Sequence, residues 1–200
     1  MIADAMSLLL VQLNNYIVQA DGTPGAPAQA VWGNIAQLDR TDVGTALDSH
    51  IVLTLVNTEE ERTLKNGPTS FPIGPNLVGH GNRPVYLNLF LLFTANYNNY
   101  ETALRRLTQV MTFFQGKQKF TYANSPGSGT PILALSDFSL TMDLLSLSLE
   151  EVNHLWGFLG TKQSPSVVYR GRLVIINDNR VLDGGGVVQN IDINSRSVTA

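Results

Sequence analysis

The chain has 200 residues, 44% of them apolar and 14% charged, with a formal net charge of −3 and no cysteine. That length suits one domain, or a domain with an arm. A mildly acidic chain is not built mainly for nucleic acid, and a chain without cysteine excludes disulfides, thiolate nucleophiles and most zinc sites. The charged share falls well below the roughly 25% of an average soluble domain, so part of the surface is expected to meet other subunits rather than water.

Residues 3–20 predict a helix, because Met6, Leu9, Leu10, Leu13, Tyr16, Ile17 and Ala20 recur at three- and four-residue steps. Leu8 and Val11 widen the stripe, as expected for a helix deep in the core or shared with a neighbouring subunit. Leu8–Val11 is not read as a signal peptide, which needs a positive leading segment, since the first basic residue is Arg40. No stretch reaches the roughly 20 apolar residues that cross a bilayer, so no membrane insertion is expected, and synthesis and folding in the cytoplasm are.

Asp21–Pro27 has turn chemistry and residues 30–40 are weakly patterned. Ile51–Val56 predicts a strand covered on both faces, apolar except for Thr54. Asn66–Arg83, rich in Gly, Pro and Asn, predicts a long loop. Val85–Ala95 is the clearest strand, with Leu87, Leu89, Leu91 and Phe93 on one face and Asn88, Phe90, Leu92 and Thr94 on the other.

A helix follows, with Asn98 expected as N-cap, Glu101 closing a capping box, and Gly116 as the C-terminal stop. Residues 123–131 predict a surface loop and Phe138–Leu147 a strand. Ser148 and Glu151 predict a second capping box, on a short helix anchored by Leu155, Trp156 and Leu159 and ended by Gly160. Val167–Ile176 predicts a strand at an edge or partly exposed, because Arg170 and Arg172 share a face. Gly184–Gly186 reads as a flexible break before a short strand, Val187–Ile193, and a polar tail. The expected fold class is α+β, a mixed and largely antiparallel sheet with helices packed against it: a domain over 1–180 and a C-terminal arm over 181–200.

Little in this chain converges on chemistry. His50, His80 and His154 have no second ligand at i+3 or i+4, so no metal and no catalytic residue is assigned. The Gly-rich stretches lack phosphate-loop and dinucleotide spacing, and no cofactor is expected. The basic pairs Arg105-Arg106, Lys117 with Lys119, and Arg170 with Arg172 lack the aromatic interleaving of a nucleic-acid surface. One dense run remains, Glu59-Glu60-Glu61-Arg62. Neighbouring strand residues point to opposite faces, which disfavours a shared cation. A soluble strand end or a contact across a subunit boundary are the readings left.

Ile51-Val52-Leu53-Thr54-Leu55-Val56-Asn57-Thr58-Glu59-Glu60-Glu61-Arg62-Thr63-Leu64-Lys65-Asn66 resembles the N-terminal domain of the cap, or tail-terminator, proteins of extracellular contractile injection systems, of the antifeeding-prophage and virulence-cassette type. Further matches follow in order: Pro84–Leu89 with Leu91-Leu92-Phe93, Tyr100–Leu104, Phe113-Phe114-Gln115, Leu145–Glu151 with Leu155-Trp156, and Pro165–Arg170. The likeness spans roughly residues 1–177 and rests on the shared order of segments rather than on one motif. It implies a tail-terminator-like fold and a homo-oligomer, a hexameric ring at the tail end opposite the baseplate. Such a ring would end growth of the inner-tube protein and hold the last ring of sheath protein, in a particle that can be released.

Within that frame Glu59, Glu60, Glu61, Arg62, Arg105, Arg106, Arg170, Arg172, Val187, Ile191 and Ile193 are the expected subunit-interface residues. Residues 181–200 are expected to pack on a neighbouring ring or sheath subunit. The alternatives are a terminator of a non-contractile phage tail, or a ligand-binding domain with its pocket near Asn66–Arg83.

Overall fold

The computed structural model describes residues 2–38, 40–61, 70–74, 77–80, 85–121, 123–125, 139–176 and 183–186. Helices α1 (Ile2–Asp21), α2 (Thr41–Leu47), α3 (Tyr100–Gly116) and α4 (Leu149–Leu159) accompany nine strands. These are β1 (Ala30–Trp32), β2 (His50–Glu60), β3 (Ser70–Gly74), β4 (Leu77–His80), β5 (Val85–Asn96), β6 (Lys119–Thr121), β7 (Ser139–Leu145), β8 (Ser166–Ile176) and β9 (Asp183–Gly186). Six strands form one sheet in the order β1-β2-β5-β8-β7-β6, and β3, β4 and β9 form a second. In the large sheet only β1 and β2 run parallel, so the sheet is mixed and mostly antiparallel, as the sequence led us to expect.

The central strands are apolar on both sides and are buried accordingly. On one face Ile51, Leu53, Leu89, Leu91, Phe93 and Tyr169 pack against α1 and α3. On the other, Val52, Leu92 and Val168 pack against Ile35, Leu47 and the Trp156 side of α4. Helix α1 contributes Ala5, Leu8, Leu9, Leu13 and Ile17, all essentially without exposure, so the added Leu8 belongs to the core. Around Phe114 the rings of Phe93, Phe113 and Tyr169 meet with centroids 5.2, 4.9 and 4.6 Å away, close enough for tilted and edge contacts.

Helix ends follow local chemistry. Thr23 N–H bonds Val18 C=O and Gly22 N–H bonds Gln19 C=O, a Schellman ending that needs the φ of +64° at Gly22. In α4 the Ser148–Glu151 capping box forms in both directions, and Gly160 takes the left-handed conformation that stops the helix. In α3 the N-cap is Asn99 rather than Asn98, its side chain accepting from Thr102 N–H. Glu101 is therefore one residue too early for the box and pairs instead with Arg105. Gly116 is still helical, and the cap is an extended Lys117 whose N–H returns to Phe113 C=O.

Four other expectations are corrected. Strand β2 runs on to Glu60, so Glu59 and Glu60 lie within the ladder, opposite Asn88 and Leu87 of β5, and not beyond it. Strand β8 is not an edge: it lies between β5 and β7. The segment Asn66–Arg83 holds the β3–β4 hairpin. Gly184–Gly186 is not a break, because β9 pairs antiparallel with β4. The expected strand Val187–Ile193 lies outside the described residues.

Two predictions follow from the core and from the clamp between α1 and α3. Phe93→Ala should cost about 3–5 kcal/mol, the range for emptying a packed aromatic site, read as a lower urea midpoint. Phe158→Ala, at a side chain 81% exposed, should barely move it. Arg106 pairs with Asp21 and also bonds Gln109, and the Arg106 hydrogen bond holds the Asp21 carboxyl below its ordinary value near 3.8. A depressed carboxylate stabilises the fold above its unfolded value and loses that contribution as pH falls through the folded one. Asp21→Asn should therefore lower stability by roughly 0.5–1 kcal/mol at neutral pH, and the gap to the parent should close below pH 3.8 in acid titrations of the melting temperature.

Candidate subunit-interface surface

Strand register determines which charged side chains meet. Partners across a ladder share a face, so Asn57, Phe90, Arg170 and Asp143 form one row across β2, β5, β8 and β7. The neighbouring row sets Glu59 beside Asn88. These rows continue the face that carries Val52, Leu92 and Val168 further along, where α4 covers it. One sheet face is thus apolar and covered at one end, polar and partly open at the other.

The polar end is wired within the chain. Glu61 N–H donates to Tyr86 C=O at 2.8 Å, adding a rung past β2. Asn88 Nδ2 donates to Glu61 Oε2 at 3.1 Å, and Arg172 pairs with Asp143. Two buried polar atoms on this face, Asn88 Oδ1 and Arg170 Nε, have no hydrogen-bond partner among the described residues. Leaving such atoms unpaired costs about 1–3 kcal/mol each.

The structure therefore brings Glu59, Glu61, Arg170 and Arg172 to one surface, a grouping the linear sequence does not reveal. Glu60 pairs with Leu87 and lies on the opposite face. Arg105 is well exposed on α3 beside Glu101, whereas Arg106 is occupied by Asp21 and Gln109. Arg62, Val187, Ile191 and Ile193 lie outside the described residues. Sequence reading missed Asn88 and Asp143, whose positions opposite charged residues depend on register alone.

A second surface lies at the sheet edge. Strand β1 pairs with β2 only from Ile51 to Leu53. At Gly33 the chain turns away, and Thr54 supports the turn: its hydroxyl donates to Gly33 C=O at 2.8 Å and accepts from Ile35 N–H at 3.2 Å. A groove of about 600 Å³ opens there, lined by Trp32, Leu53, Leu55, Val56, Phe158 and Leu159 among others. Trp32 is 54% exposed and Phe158 81%, an unusual display of aromatic surface.

No group of three or more His, Asp or Glu side chains among the described residues could hold a metal. His50 Nδ1 lies 2.6 Å from Asp48 C=O, and His154 is exposed on α4.

Comparison with known proteins bears out the resemblance. Two solved structures share the α+β fold. One is the PVC sheath/tube terminator of an extracellular contractile injection system in its extended state, with 13% identity, a TM-score of 0.63, and coverage of 100% of this chain and 64% of that one. The other is the tube-terminating cap of the anti-feeding prophage, with 13% identity, a TM-score of 0.50, and coverage of 73% and 49%. The chain thus spans under two thirds of the length of either structure. A comparison with proteins of curated function found no match. The sequence profile of the Pvc16 N-terminal domain matches residues 6–190, and the chain belongs to that family.

Proposed function

We propose that this chain is a structural cap, or tail terminator, of a phage-tail-like contractile injection system. The observation that carries the proposal is the match of its whole length to the fold of a sheath/tube terminator. In this reading the protein is not an enzyme. It forms a hexameric ring at the tail end distal to the baseplate, stops inner-tube growth and holds the last ring of sheath. It is made in the bacterial cytoplasm and carried in the assembled particle.

The surfaces suit that role. A ring subunit needs two unlike faces that meet around a closed symmetry. The open polar end of the sheet offers Glu59, Glu61, Arg170 and Arg172, and the charged content of 14% leaves much of the remaining surface uncharged. In this proposal the glutamate run and the Arg170–Arg172 pair set the register between neighbours, and Arg105, exposed beside Glu101 on the opposite helix layer, meets tube or sheath.

Mass photometry of the purified chain should show a closed six-membered species, and adding it to polymerising inner-tube protein should shorten the tubes. A strict monomer that leaves tube length unchanged would sink the cap reading. Glu59→Lys with Glu61→Lys should weaken ring assembly about tenfold, for ~1.5 kcal/mol at close charge pairs, and more strongly at low salt than at high salt. Equal loss at both ionic strengths would remove these charges from the subunit boundary.

A further inference from the structure

Helix α1 ends on an Asp-Gly pair, Asp21-Gly22. Such a pair is chemically vulnerable, because glycine has no side chain to screen its backbone nitrogen from the neighbouring carboxyl. The glycine nitrogen attacks the aspartyl Cγ. A C–N bond forms, the carboxyl hydroxyl leaves with the amide proton as water, and a five-membered imide results. Water then reopens the imide at the former main-chain carbonyl, so that the chain runs through Cγ as an isoaspartate. The water lost equals the water regained, and no other reactant is needed.

The chain contains two Asp-Gly pairs, Asp21-Gly22 and Asp183-Gly184. The second belongs to the β9 ladder, with Asp183 opposite His80 and Gly184 opposite Gly79. The first lies at a helix end where both residues are exposed to water. There both reacting groups are already engaged. Gly22 N–H donates to Gln19 C=O at 3.2 Å, inside the turn that Thr23 N–H closes on Val18 C=O. On the carboxyl, Oδ1 accepts from Gln109 Nε2 at 2.7 Å and Oδ2 accepts from Arg106 Nη1. Arg106 Nη1 also donates to Gln109 Oε1 at 2.9 Å, so the two α3 residues brace each other.

For Cγ to reach the Gly22 nitrogen, the carboxyl has to let go of α3. It also has to be neutral, since a carboxylate has no hydroxyl to lose. The Arg106 hydrogen bond works against that protonation, holding the carboxyl below its ordinary range.

We propose that Asp21-Gly22 is a latent isoaspartate site, held closed by Arg106 and Gln109 of α3. The two clamp residues lie 85 and 88 positions along the chain from Asp21, so the protection exists only in the folded protein. Isoaspartate would add a methylene to the backbone at the point where the helix ending fixes its register, and would move the carboxyl onto Cα. Clamp and modification therefore exclude one another, and a subunit that isomerises cannot rebuild the link between α1 and α3.

Isoaspartate has the mass of aspartate, so it is read by chromatographic peptide mapping or by isoaspartyl methyltransferase labelling of separated peptides. Folded parent protein kept at neutral pH for weeks should gain isoaspartate at position 21 many-fold more slowly than the same chain in denaturing urea. Arg106→Ala, kept folded in native buffer, should raise the rate several-fold. Gln109→Ala, which leaves the ion pair in place, should raise it less. Asp183-Gly184 should keep the parent's rate in both folded variants, as an internal control.

Equal rates at position 21 in folded and urea-unfolded parent overturn the proposal. So does a folded Arg106→Ala protein that isomerises no faster than the parent. A rise at positions 21 and 183 alike would mean general loosening and would remove the clamp as a specific guard. Where Arg106→Ala does not fold, Gln109→Ala decides, and an unchanged rate there overturns the proposal.

Discussion

Leu91, Leu92 and Phe93 are consecutive, lie on opposite faces of β5, and have no solvent exposure. The same holds for Ile51, Val52 and Leu53 on β2. Apolar strands of this kind have no face to give to water, so they must be covered twice. Helices α1 and α3 supply one layer, and α4 with Ile35 and Leu47 supplies the other. Nearly every long-range feature serves that requirement. Asn14 of α1 accepts Gln29 and Ala30 N–H and donates to Ala30 C=O, binding β1 to its helix. Lys117, at the end of α3, donates to Gln12 and to Asn124 C=O while lying over the Phe120 ring.

Double cover stops before the strands do. Beyond the irregularity at Val56, where β2 carries one residue more than β5, the side chains on the α4 face become Asn57, Glu59, Asn88 and Arg170. A single sheet thus holds the core at one end and presents a polar surface at the other. Thr54 does the equivalent work at the edge: by taking up Gly33 C=O and Ile35 N–H it sends the chain off β2 and leaves Leu55 onward without β1. Both surfaces come from continuing a well-covered strand past its cover, which leaves each of them backed by the core.

Legibility in the sequence tracked the range of the interaction. The Ser148–Glu151 box and the Gly160 stop were readable because capping is settled within four residues. The same logic placed the α3 cap one residue early, since Asn98 and Asn99 are chemically alike and only the backbone decides which one bends. Strand β9 was hidden because glycines carry no side chain to pattern, and its pairing with β4 is made by backbone alone. Strand β1, at three residues, is too short for a period to emerge. Arg170 and Arg172 suggested a strand at an edge or partly exposed; β8 is central, and its arginines lie, Arg172 exposed, at the end of the sheet that α4 leaves uncovered.

The sequence by itself determined the apolar strands, the amphipathic helices, the capping chemistry and, through the ordered series of segments, the family. These are local or additive properties, written in spacing and composition. Only the tertiary structure decided that Glu59, Glu61, Arg170, Arg172 and Asp143 share a face, that Arg106 is occupied by Asp21, and that among the described strands β1 accompanies β2 no further than Leu53, where the groove between Trp32 and Phe158 lies. Each depends on strand order, and on a one-residue irregularity that moves side chains from one face to the other, which no pattern within a single strand can encode.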